Sequence, residues 1–124
     1  MSDRPVLEPT DAHPITVEPT GKHVTVRVNG EVVAETDDAL TLQESTYPAV
    51  QYIPLAHVVA DKLRPSGTET YCPFKGEASY YHVVTSDGGT VEDAIWTYEK
   101  PYPAVGRIAG HVAFYPDKAD VSVA

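Results

Sequence analysis

Turn-forming residues cut this chain into pieces no longer than a strand. Asn29-Gly30, Thr36-Asp37-Asp38, Tyr47-Pro48, Arg64-Pro65-Ser66-Gly67, Ser86-Asp87-Gly88-Gly89 and Pro116-Asp117 recur along it, with a stop about every ten residues. Proline fixes φ and lacks a donor N–H, glycine takes φ > 0 without steric cost, and Asn and Asp bond their own backbone. Only short elements fit between such stops. The spacing predicts roughly seven or eight strands and a mainly β, single-domain antiparallel two-sheet sandwich or open barrel with one short helix. Strand and helix do not alternate, which excludes a Rossmann-like parallel sheet.

The clearest element is a hairpin over Lys22 to Glu35. Val24, Val26 and Val28 alternate with Thr25 and Arg27, the period of a half-buried strand. Asn29-Gly30 supplies the two φ > 0 positions of a tight turn. Ala39 to Ser45 reads as a third strand with Leu40 and Leu42 on one face, and Val50 to Ile53 as a fourth. Pro54 then opens the expected helix, Leu55 to Leu63, in which Leu55, Val58, Val59 and Leu63 share a face. Further strands are expected at Ala78–Thr85, Thr90–Tyr98 and His111–Tyr115, with an edge strand at Val121–Val123. In the Thr90–Tyr98 strand, Val91, Asp93, Ile95 and Thr97 alternate with Glu92, Ala94, Trp96 and Tyr98. Residues 1–21 carry prolines at 5, 9, 14 and 19. They read as an extended, acidic tail lying at most along a sheet edge, which leaves residues 22–124 as the domain.

A length of 124 residues fits one domain. At this size roughly two-thirds of the unfolded surface is buried, enough for a core without staples. The net charge of −9 and pI near 4.8 disfavour nucleic acid and anionic membranes as partners. One cysteine forms no intrachain disulfide and no four-cysteine zinc site, which suits a reducing, cytoplasmic setting. No apolar run near Met1 reads as a secretory signal, and none reaches the roughly 20 residues that span a bilayer.

Chemistry concentrates in Thr70 to Val84, where thiol, ammonium, carboxylate, phenol and imidazole fall on a turn that feeds a strand. Cys72 reads either as a nucleophile, if a cation such as Lys75 lowers its pKa, or as a small buried hydrophobe. Lys75-Gly76-Glu77 sits on a turn shaped by Pro73 and Gly76. Lys75 is expected to bind an anion, with Glu77 as a base or as the group that holds Lys75; the alternative is a solvated ion pair. Tyr52, Tyr80, Trp96, Tyr98 and Tyr115 are candidate pocket walls, although aromatics also favour strands as plain core. His111, after Gly110, is the histidine most suited to a site. No histidine pair has metal-ligand spacing, and no P-loop, nucleophile elbow, dinucleotide fingerprint or EF-hand pattern occurs, so neither a metal nor a cofactor is expected.

The segment TYCPFKGEASYYH, Thr70 to His82, resembles a signature of the widespread, mainly bacterial family known as domain of unknown function 427. AIWTYEKPYPAVGRIAGHVAFYPDK, residues 94–118, resembles its second signature. The likeness extends from about Val24 to Val121. It implies a small β-rich domain similar in outline to the open two-sheet arrangement called a β-tent. Where the family often shows an arginine and acidic residues after Ile53-Pro54, this chain has Leu55-Ala56-His57.

The family sometimes carries a nucleotidyltransferase label. That chemistry calls for paired carboxylates to hold Mg²⁺. The nearest pairs here, Asp37-Asp38 and Glu92-Asp93, are adjacent residues that face apart on a strand.

The expectation for function is a pocket in which Cys72, Lys75, Glu77, Tyr80, Trp96 and His111 converge on a small anionic or planar molecule, walled also by Tyr52 and Tyr98. Acid/base catalysis by Glu77 or His111 is the extension that needs the fewest assumptions. The alternative is a non-catalytic interaction module or homodimer formed through an exposed strand edge.

Overall fold

The computed structural model describes residues 5–124; the start of the expected tail, residues 1–4, lies outside the described residues. Ten strands form two antiparallel sheets that do not close into a barrel. They are β1 (Ile15–Pro19), β2 (Val24–Val28), β3 (Glu31–Thr36), β4 (Leu40–Glu44), β5 (Val50–Pro54), β6 (Leu63–Cys72), β7 (Gly76–Val84), β8 (Thr90–Thr97), β9 (His111–Phe114) and β10 (Asp120–Val123). The larger sheet has the order β1-β4-β5-β9-β8-β7-β6, and the smaller has β10-β2-β3. Among the described residues no helix is long and apolar enough to cross a membrane.

The β2–β3 hairpin follows from its pattern. Val24, Val26 and Val28 are fully buried, and Asn29 and Gly30 turn the chain at φ 52° and 80°. Within the segment read as a tail, Ile15–Pro19 pairs with β4, from Ile15 opposite Glu44 to Pro19 opposite Leu40. Pro14 and Pro19 bracket this strand, which lies on the sheet edge where a missing N–H is tolerated.

The expected helix over Leu55 to Leu63 does not form. Two single 3-10 turns, Leu55–His57 and Ala60–Lys62, replace it. Val58 and Val59 between them are extended. The reason is a competing backbone partner: Val59 N–H donates to Val33 O at 2.8 Å, and Val58 bridges to Ala34. Branched valines favour that extended state. Leu63 then begins β6 instead of ending a helix. Pro65, Ser66 and Gly67 do not stop the chain there. They lie in a bulge of β6, between Pro65 opposite Tyr81 and Glu69 opposite Ser79. Since β6 is an edge strand, the proline costs no ladder bond.

Alternation on β8 also slips. Asp93 takes φ 48° in an irregularity between the Tyr81–Ile95 and Val83–Val91 pairs. Ala94 and Ile95 consequently both enter the same core cluster. Ser66 and Thr68 hydroxyls donate to the Asp93 carboxylate at 2.5 and 2.8 Å, which fastens the β6 bulge to the β8 bulge.

The core has two parts. Val24, Val26, Val28, Val33, Ile53, Val83, Ile95, Val112 and Phe114 fill one. The other face of the larger sheet carries Leu42, Tyr52, Ala78, Tyr80, Tyr98 and Ala113, packed with Val105 and Ile108. Val105 and Ile108 come from the 3-10 segment Pro103–Ile108 and are fully buried. The larger sheet curls around them.

Candidate functional site

Lys75 is set by the turn between β6 and β7. Its N–H donates to Cys72 O at 3.2 Å, and its carbonyl accepts from Tyr102 N–H at 3.0 Å. Gly76 follows at φ 111°, the glycine-favouring region, and an added Cβ would stand 3.4 Å from Lys100 O. This corner sends the lysine side chain inward, and Lys75 is only 8 % exposed.

Charge burial of this kind requires a partner. Lys75 Nζ donates to Glu44 Oε1 at 2.5 Å and lies 3.8 Å from Cys72 Sγ. It also sits 5.9 Å from the centre of the Tyr98 ring. The second carboxylate oxygen of Glu44 meets His13 Nε2 at 2.8 Å, and the His13 ring stacks on Phe74 at 4.4 Å. Burial alone would raise the Glu44 pKa. The hydrogen bonds from Lys75 and then His13 outweigh it and hold the carboxyl below its ordinary value. Glu44 is therefore a fixed carboxylate with both oxygens occupied.

Above this pair opens a cleft of about 200 Å³, lined by Leu42, Glu44, Tyr47, Pro48, Val50, Tyr52, Lys75, Tyr80, Trp96, Tyr98 and Tyr115. Its walls are mostly rings. Trp96 and Tyr115 lie 4.5 Å apart, centre to centre, and Tyr80 is parallel to Tyr115 at 6.4 Å. Trp96 Nε1–H donates to the Tyr52 hydroxyl at 3.1 Å. Tyr80 shares a 2.8 Å hydrogen bond with Thr70 and accepts a longer one from Tyr115 at 3.4 Å. Among the described residues the Tyr98 hydroxyl has no protein partner, and the Tyr52 hydroxyl accepts from Trp96 but donates to nothing.

Burial pushes the phenols of Tyr52 and Tyr98 well above their ordinary pKa. For Tyr115, burial and then the bond to Tyr80 do the same. These phenols stay protonated and so keep an O–H that can donate; within the protein Tyr115 gives its own to Tyr80. Lys75 gives one N–H to Glu44 and one weakly to sulfur, which leaves a third. The arrangement can present several donors to one acceptor group in a sheltered, ring-walled space.

Of the residues singled out by sequence, Lys75, Tyr52, Tyr80, Trp96, Tyr98 and Tyr115 line the cleft. Cys72 stands behind Lys75 and packs against the second core cluster. Glu77 is on the exposed side of β7 and does not line the cleft. His111 lies outside as well, with its Nδ1 3.0 Å from Ala109 O. Glu44 at the floor of the cleft and His13 behind it complete the polar chain from Lys75, and neither stood out in the sequence. Glu44 left one signal: it continues the Leu40, Leu42 face of β4 at period 2, a carboxylate in line with two inward leucines.

One carboxylate of each acidic pair is engaged elsewhere. Asp37 bonds His23 at 2.8 Å, and Asp93 bonds Ser66 and Thr68. Among the described residues no group of three or more His, Cys, Asp or Glu side chains could hold a metal ion.

No curated protein matches this chain. The model of the family described as a domain of unknown function (DUF427) matches residues 16–124, and the chain belongs to that family.

Proposed function

We propose that the cleft binds a single-ring, planar small molecule bearing a carbonyl or carboxylate, and that this protein is a binding domain for such molecules. What carries the reading is that Tyr52 and Tyr98, whose O–H groups have no protein acceptor among the described residues, line one cleft with Lys75. Donors that face a ring-walled cleft and lack a protein acceptor favour a ligand that supplies one. Ring walls favour a flat ligand, because offset and edge-to-face contacts between rings add to area burial. Size agrees: a cavity of roughly 150 Å³ holds benzene, and this one is about 200 Å³.

Binding without turnover is the better-supported form of the idea. The phenols are held protonated, and both oxygens of Glu44 are occupied, so the cleft lacks a ready base.

Calorimetric titration with benzoate, nicotinate and uracil tests the reading, with cyclohexanecarboxylate as the non-planar control. At least one planar probe is expected to bind, more tightly than the control. Tyr98→Phe is expected to weaken it about tenfold, the worth of one hydrogen bond to a charged acceptor. Absence of heat from every planar probe at millimolar concentration would end the proposal.

A further inference from the structure

The cleft adjoins a second hollow where the larger sheet splits. Strands β5 and β9 pair only at Ile53–Val112 and Pro54–His111. Toward Val50 the β5 backbone stays with β4, through Tyr52–Leu40, Gln51–Thr41 and Val50–Leu42. Ala113 and Phe114 of β9 stay with β8, opposite Trp96 and Ile95. The two halves therefore part from Tyr52 onward, and the Trp96–Tyr52 hydrogen bond spans the gap at that point.

On the far side of this split lies a groove of about 540 Å³. It shares Tyr47, Pro48, Val50 and Trp96 with the cleft, so the two spaces meet along one wall. Ala49, Phe114, Val121 and Val123 extend the groove, and among the described residues no charged one lines it. Its one amide, Gln51, is already spent: the oxygen accepts from Thr20, and the nitrogen donates to Thr41. In a chain of net charge −9, an uncharged hollow whose lining is mostly apolar is suited to an apolar occupant.

We propose, on the footing that the cleft is a ligand site, that the natural ligand is an amphiphile. Its ring and acceptor group sit in the cleft, and an alkyl or acyl tail passes the split beside Trp96 into the groove. The wall that the two spaces share at Tyr47, Pro48, Val50 and Trp96 is what selects a tail of the same molecule over a separate partner.

The test is a titration of the full chain with benzoate and its para-methyl, ethyl, propyl and butyl derivatives, followed by sedimentation. Each added methylene is expected to tighten binding about fourfold, the transfer value of one buried CH₂. Val123→Asp or Ala49→Asp, on opposite walls of the groove and both at exposed positions, is expected to compress that series to less than twofold overall while benzoate still binds. If no planar probe binds the wild type, the cleft reading itself fails; if another planar probe binds and no member of the benzoate series does, the tail is refuted. If benzoate binds and the series is flat, the cleft stands and the tail is refuted. If the wild type is a dimer that Val123→Asp separates, with the series unchanged, a second copy covers the groove and the proposal is overturned.

Discussion

Lys75 at the head of β7 and Glu44 at the end of β4 are joined at 2.5 Å, although β5, β9 and β8 stand between their strands. In a flat sheet that separation is about 19 Å, four strand spacings. A lysine cannot reach so far. The pair closes the concave side of a curled sheet, and the cleft is the space left inside the curl.

The first prediction concerns that pair, whose side chains are 11 % and 15 % exposed. Removing one member leaves a sheltered charge without its partner. Lys75→Met or Glu44→Leu alone is expected to cost about 3 kcal/mol, and the two together to recover most of it. Chemical denaturation of the four proteins measures the cycle. Single costs below about 1 kcal/mol would mark the pair as an ordinary surface contact.

Acid should weaken the same contact. Despite burial, the bonds from Lys75 and His13 lower the Glu44 pKa in the folded protein, below the 4.5 of a free glutamate. A depressed carboxyl stabilises the fold above its unfolded pKa and loses that contribution as pH falls through the folded value. The stability gap between wild type and Glu44→Gln is expected to be constant from about pH 7 to 5 and to shrink below about 4.5. Melting temperatures across that range check it, and a gap that widens in acid contradicts the assignment.

Gly76→Ala is expected to destabilise by about 1–3 kcal/mol, since φ 111° is unfavourable for any side chain. Its Cβ would also press toward Lys100 O at 3.4 Å. Urea unfolding gives the number, and a neutral result would show that the corner relaxes freely.

The two cleft phenols should separate cleanly. Tyr98→Phe removes a hydroxyl without a protein partner and should stay within about 0.5 kcal/mol of wild type. Tyr52→Phe takes the acceptor from Trp96 Nε1–H and should cost about 1 kcal/mol. Reversed magnitudes would mean that the Tyr98 hydroxyl, not that of Tyr52, is the structural one.

Much of this architecture is local in origin and therefore visible in the chain. Alternating valines around Asn29-Gly30 dictate their hairpin wherever the rest of the molecule lies. The segment Leu55 to Leu63 is different. Its apolar spacing fits a helix, yet one backbone acceptor on β3, Val33 O, draws Val59 into an extended path. That acceptor is 26 residues away in sequence, beyond the range of any periodicity. Pro65-Ser66-Gly67 carries the same ambiguity, because stops and edge-strand bulges use the same residues.

The site divides in the same way. Pro73 and Gly76 advertise a corner that fixes Lys75, and ring-rich strands advertise Tyr52, Tyr80, Trp96 and Tyr98. The partner of Lys75 is legible only from the curl. Glu77 is near in sequence but on the exposed side of its strand, while Glu44 comes from a strand brought round by three intervening neighbours.

Trp96 lies where the split, the cleft and the groove meet, and it is the sole tryptophan of the chain. Its indole N–H is tied to Tyr52 and its ring rests near Tyr115. Ultraviolet emission excited selectively from indole consequently originates at this one junction. A molecule entering either space changes the polarity around that ring and shifts the emitted wavelength, so the protein carries a built-in optical reporter of occupancy.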